Sequence, residues 1–155
     1  VEIVPAAPSN ADAISALILA LCEPFFLEPS RVGAEPFLAS VSPEGQRRYL
    51  QAGNYSYHVA KSQGQLVGLV ALRDNAHLFH LFVAQPFQGQ GLARRLWHVV
   101  QDEALRAGNP GSFTVNASLN AVPVYEKFGF VRQGDVRRMN GVAFQPMCRG
   151  QVPSR

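Results

Sequence analysis

The chain has 155 residues, 47% hydrophobic and 16% charged, with a formal net charge of +3, which is enough for one domain with a sizeable core and excludes compositional disorder. The longest apolar run, Ala11 to Cys22, falls short of the roughly 18 residues a membrane span needs and is broken by Asp12 and Ser15, so no membrane partner is expected; no basic segment precedes it, so no secretory leader is expected either. The small positive charge mildly favours an anionic ligand, and without a recognition motif or an aromatic–basic stacking run no nucleic-acid partner is expected.

Val1 to Val4 is a short β-prone run ended by Pro5. Ser9 or Asn10 can cap a helix to about Leu21, whose apolar positions Ile14, Leu17, Ile18 and Leu21 recur at helical spacing. Pro24, Pro29 and Pro36 mark an irregular stretch, and Ser42-Pro43-Glu44 opens a second helix to about Gln51. Tyr55–Ala60 and Leu66–Leu72 flank Gln63-Gly64 and read as an antiparallel hairpin. His77–Val83 is apolar on both faces and belongs in the sheet interior. A long helix is expected from near Gln88 to about Ala107, with Leu92, Leu96, Val99 and Val100 on its core face and Trp97 packing. Phe113–Asn116 is a further strand, so that strand, helix and strand form a parallel β-α-β unit. A short helix over 121–128 follows. The last strands, about Phe130–Arg137 and Val142–Cys148, flank Asn140-Gly141, a strong hairpin signal. The expected order is β-α-α-β-β-β-α-β-α-β-β, a mixed α/β sheet filling residues 1–148 as one domain, with 149–155 as a C-terminal tail.

Cys22 and Cys148 lie far apart in apolar contexts, with no metal-ligand spacing. Reduced core cysteines, a cytoplasmic location and no metal are therefore expected.

The chemistry concentrates at Gln88-Gly89-Gln90-Gly91-Leu92-Ala93, where a buried strand turns into a helix. The first amides of a helix lack internal partners and carry partial positive charge, and glycines admit a phosphate close to the backbone. Arg94 and Arg95 add formal charge in the next turn. No Gly-Lys-Ser/Thr follows, so this is not a Walker loop; Arg94 occupies the third glycine position of the dinucleotide fingerprint, so it is not that either.

Gln88, Gly91 and Ala93 match the acetyl-coenzyme A motif of the GNAT acetyltransferases, Gln/Arg-x-x-Gly-x-Gly/Ala, and Leu81-Phe82-Val83 resembles the strand that pairs with the pantetheine arm. Val124-Tyr125-Glu126-Lys127-Phe128-Gly129-Phe130 resembles the family's second signature. The resemblance covers about residues 1–148 and implies a GNAT-like fold, with acetyl-coenzyme A as co-substrate and no metal. It implies transfer of an acetyl group to a primary amine of a small molecule or peptide, by a monomer or homodimer. It also implies that Val83 binds pantetheine through its backbone, that the amides of Gln88, Gly89, Gln90, Gly91, Leu92, Ala93 and Arg94 wrap the pyrophosphate, and that Tyr125 protonates the departing thiolate. The family commonly has Asn where this chain has Ser118; Asn116, Ser118 or Asn120 is expected to bond the pantetheine amide. A general base is expected near the strand before the cradle, where His77 and His80 stand on opposite faces of a regular strand unless a bulge intervenes. Glu23 and Glu28 are further candidates for substrate binding, and the family's acceptor pocket would fall near Phe25, Phe26, Tyr49, Tyr55 and Phe144. The competing reading is an acyl-coenzyme A sensor or interaction domain that shares the cradle without a working acid and base.

Overall fold

The computed structural model describes residues 1–150. Its elements are β1 (Glu2–Pro5), α1 (Ala11–Leu21), α2 (Glu35–Ser40), α3 (Pro43–Gln51), β2 (Tyr55–Ser62), β3 (Gln65–Arg73), β4 (His77–Val83), α4 (Leu92–Arg106), β5 (Phe113–Ala117), α5 (Val122–Lys127), β6 (Val131–Arg132), β7 (Arg137–Met139) and β8 (Val142–Arg149). One mixed sheet runs β1-β2-β3-β4-β5-β8-β6, with β7 paired to β8. Every adjacent pair is antiparallel except β4–β5, which the α4 crossover makes parallel.

Each sheet face carries its own core. On one, Leu92, Leu96, Trp97 and Val100 of α4 and Tyr125 of α5 pack on Val70, Leu78 and Val115. Trp97 is 1% exposed and meets Phe113 and Phe130 edge-on at 5.0 and 5.3 Å. On the other, Ile14 and Ile18 of α1 cover Tyr57, Val59 and Leu69 with α3 alongside.

The expected order is recovered with four differences. The proline-rich stretch contains the additional helix α2. The long helix begins at Leu92 rather than near Gln88, because Gly89 and Gly91 take φ of 76° and 81°, incompatible with a right-handed helix. The expected strand 130–137 is split into β6 and β7. Pro146 of β8 accepts from Gln133 N through its carbonyl (2.9 Å) but has no N–H for the same edge, so the ladder breaks there. Finally, the β3–β4 register slips between Ala71↔His80 and Leu72↔Leu78, leaving Phe79 as an extra bulged residue in β4. Of the expected tail, Arg149 ends β8 and 151–155 lie outside the described residues.

Candidate active site

Parallel pairing between β4 and β5 covers only His77↔Thr114 and Leu78↔Val115. Beyond Leu78 the strands part, and among the described residues nothing pairs with that edge of β4 as a strand. The register fixes which groups are exposed there. Ala84 N donates to Val67 O at 2.8 Å, which makes Gly68–Val83 a wide pair. Pairs alternate along an antiparallel ladder, so His80 and Phe82 direct their peptide groups to β3, while Leu81 and Val83 direct theirs into the wedge. Gln88 Nε2 donates to Val83 O at 2.9 Å. The N–H and C=O of Leu81 and the N–H of Val83 remain available to an extended ligand.

The wedge leads to the turn before α4. Gly91 is the N-cap, no side chain caps it, and the first turn of this 15-residue helix holds no acidic residue. Gln88 and Gln90 fold back onto Val83 O and Pro86 O, away from the helix amides. A Cβ placed on Gly89 or Gly91 would meet nothing within 4 Å, so the space over the turn is open. Leu92 is buried and anchors the helix, Ala93 is half-buried, and Arg94 and Arg95 are exposed. Unpaired amides and an uncompensated helix dipole leave partial positive charge at this turn, while the Arg94 guanidinium lies over the Phe128 ring and Arg95 Nη2 donates to Val1 O at 3.3 Å.

Tyr125 lies on the same side of the sheet as this turn. It is 7% exposed, 5.8 Å from the Phe130 ring and 6.2 Å from Phe128, over which the Arg94 guanidinium sits at 5.1 Å. Burial pushes the Tyr125 phenol up, holding it protonated. After β5, Ser118 is buried and donates through Oγ to Asn120 Oδ1 at 2.8 Å, leaving the Asn120 amide group to donate; Asn116 and Asn120 are exposed.

The Phe79 bulge places both histidines on the α1–α3 face, correcting the regular-strand expectation. His77 Nδ1 is 2.8 Å from Thr114 Oγ1, and burial, with Arg73 adding to it, pushes the imidazole down to about 4. His80 is 8% exposed, tilted against Phe79 at 4.2 Å, and pushed down by burial to about 3. Its Nε2 is 3.5 Å from Gln46 Nε2; Gln46, wholly buried, also donates to Ser40 O (3.1 Å) and accepts from Tyr57 Oη (2.7 Å). Gln46, Tyr57 and Thr114 were not foreseen. A glutamine in a polar helix stretch reads as a surface residue, and only the packing of α3 on β2 shows it to be internal.

Among the described residues no cluster of three metal-binding side chains exists, and no helix is long and apolar enough to cross a membrane.

A family model described as an acetyltransferase (GNAT) domain matches residues 26–149. The chain is 33% identical over 99 residues to rat N-acetyltransferase family 8 member 2, covering 57% of this chain and 43% of that protein. It is 33% identical over 73 residues to acetyltransferase Atu2258 of Agrobacterium fabrum (strain C58), covering 47% and 53%. The chain thus spans about half the length of the curated relatives it matches. Among solved structures, a GCN5-related N-acetyltransferase from Rhodopseudomonas palustris superposes with a TM-score of 0.77 at 23% identity, over 97% of this chain and 95% of that one. The PaiA N-acetyltransferase of Thermoplasma acidophilum, solved with coenzyme A, gives 0.76 at 13% identity over 97% and 98%. The structures speak to the fold; the family model, spanning most of the sequence, establishes that the chain belongs to the GNAT acetyltransferase family.

Proposed function

We propose that this chain transfers the acetyl group of acetyl-coenzyme A to a primary amine of a small molecule or peptide by direct attack on the thioester. The observation that carries the reading is the continuity of two unfilled polar surfaces: the open edge of β4 at Leu81 and Val83, and the open Gly89–Gly91 turn at the start of α4. Their chemistry fits the two parts of coenzyme A. The β4 edge would pair with the pantetheine amides as a strand pairs with its neighbour. The amides from Gly89 to Arg94 would hold the pyrophosphate; the expected Gln88 amide is not among them, because it donates to Gln85 O at 3.2 Å. Asn120, oriented by Ser118, is the best placed of the three polar residues after β5 to donate to a pantetheine carbonyl.

As the amine nitrogen bonds to the acetyl carbon and the carbon–sulfur bond breaks, Tyr125 would give its proton to the thiolate, a role its protonated state suits. Of the two histidines His77 is the candidate to take the amine proton, through Nε2 because Nδ1 is engaged by Thr114, although burial would leave it a weak base. His80, enclosed by Gln46 and the Phe79 ring, we assign to positioning. The buried free cysteines Cys22 and Cys148 support a reducing compartment such as the cytoplasm.

The test follows coenzyme A release from acetyl-coenzyme A across an amine panel, for the wild type and Tyr125→Phe. The variant should lose at least about a hundredfold in turnover, the usual scale for removing a general acid, while binding coenzyme A as the wild type does. A variant with full turnover would remove Tyr125 from this role. Tight cofactor binding with no turnover on any amine would favour the sensor reading.

A further inference from the structure

A wholly buried glutamine destabilises a core unless its polar atoms are paired, and Gln46 pairs them in a fixed arrangement. It stands in the first turn of α3, directly after the end of α2. The two helices meet closely there, because a Cβ on Gly45 would lie 2.5 Å from Ser40 O and 2.7 Å from Ala39 O. Ser15 Oγ of α1 closes the same junction by donating to Val41 O at 2.6 Å. From this junction the Gln46 side chain reaches β2 and β4. Its Nε2 donates to Ser40 O at 3.1 Å and its Oε1 accepts from Tyr57 Oη at 2.7 Å. Turning the amide over would set Oε1 against the Ser40 carbonyl, so the backbone decides which end is which. The second N–H of Nε2 is left for His80 Nε2, 3.5 Å away. Burial keeps the His80 ring neutral, and two N–H groups do not face each other across such a contact. His80 Nε2 therefore presents its lone pair, and the ring carries its proton on Nδ1.

That tautomer bears on the shape of β4. His80 follows the bulged residue Phe79, and its imidazole hydrogen-bonds the Phe79 backbone while lying 4.2 Å from the Phe79 ring. Tyr49 and Tyr55 also pack on that ring, at 5.0 and 5.1 Å. The bulge stands at the apex of the wedge, between Leu78, which still pairs with Val115, and Leu81, whose N–H and C=O face the open edge. With a diphosphate at the turn after Val83, an extended arm paired on Val83 and Leu81 runs back along β4. Its reactive end then comes to the apex, beside Phe79 and His80.

Resting on the acetyl-transfer reading above, we propose that Gln46 is a positioning residue for the reaction: its amide, oriented by Ser40 O and Tyr57, holds His80 in the Nδ1–H form, and His80 so held fixes the bulge beside which the thioester sits. The test uses Gln46→Met, which fills the space without directed hydrogen bonds, and Tyr57→Phe, which removes only the hydroxyl that orients the amide. Nitrogen-15 NMR of histidine-labelled protein reads the tautomer, with His80 assigned by its loss in His80→Asn. The wild type should show His80 protonated on Nδ1, and both variants a mixture of the two tautomers. At saturating acetyl-coenzyme A, kcat on the best amine should fall by about tenfold or more in Gln46→Met, and by less in Tyr57→Phe, the scale of a small misplacement at a reacting centre. Coenzyme A affinity should stay within about twofold of the wild type. A role in folding alone would leave kcat per folded molecule unchanged. Wild-type His80 protonated on Nε2, unaltered kcat in the folded variants, or a loss of coenzyme A affinity in step with kcat overturns the inference and leaves acetyl transfer standing. Coenzyme A binding with no turnover on any amine of a wide panel would instead bring down the acetyl-transfer reading, and this inference with it.

Discussion

Acidification from pH 7.5 to 5.0 should destabilise this protein through histidines buried in the neutral form. In the folded state His77 is pushed down to about 4 and His80 to about 3, both chiefly by burial, against an ordinary value of 6.5. A folded value below the unfolded one means that the unfolded chain takes up the proton first. The stabilisation is therefore complete above about pH 6.5 and is lost as pH falls toward the folded values. At pH 5.0 the unfolded imidazole is almost fully protonated and the folded one is not, which costs about 2 kcal/mol per histidine, or about 4 kcal/mol for the two, at 1.36 kcal/mol per pH unit. His58 acts in the same direction: burial lowers it against the opposing pull of Glu103, and its Nδ1 is buried without a partner. A loss of that size is a large share of the 5–15 kcal/mol typical of a domain. Urea unfolding at half-unit pH steps would measure it, stopping at pH 5.0 before most carboxylates titrate. His77→Asn should reduce the slope by about half of the two-histidine contribution, whatever its effect at neutral pH. A flat profile, or an unaltered slope in that variant, would refute the assignment of neutral buried imidazoles.

Replacing Gln46 by Leu strands Tyr57 Oη, Ser40 O and His80 together, and should lower stability by about 2–3 kcal/mol in urea unfolding, on the scale of buried groups left unpaired. Trp97→Ala opens a cavity between α4 and the sheet at a wholly enclosed site, with an expected cost of about 3–5 kcal/mol by the same measurement. Should either variant unfold at the wild-type urea concentration, the corresponding packing description is wrong.

The path from sequence to fold was clearest where local signals agreed with tertiary packing. Ser42 caps α3 by accepting from Gly45 N at 3.1 Å, as Ser-Pro-Glu suggests, and Asn140-Gly141 turns β7 into β8 with φ of 52° and 74°. The cradle was visible because glycine spacing reports directly on backbone conformation. Its helix start was placed too early because Gln88 and Gln90 are good helix formers, while the two glycines between and after them commit the chain to a turn. The bulge at Phe79 was not legible. His77–Val83 has no glycine or proline to announce it, and it arises from the β3–β4 register, a contact between segments. The break between β6 and β7 depends likewise on Pro146, a residue of the partner strand. The buried network of Gln46, Tyr57 and His80 escaped for the same reason, since each residue is unremarkable alone.

Calorimetric titration of coenzyme A and of pantetheine, which lacks the diphosphate, into the wild type and Gly91→Val tests the central claim most directly. The account predicts saturable coenzyme A binding near the micromolar range, pantetheine at least about a hundredfold weaker for want of the group the helix amides hold, and a marked loss in Gly91→Val, where a side chain would both strain the φ of 81° and fill the open space over the turn. Coenzyme A and pantetheine binding alike, or no binding at all to a folded wild type, would contradict it.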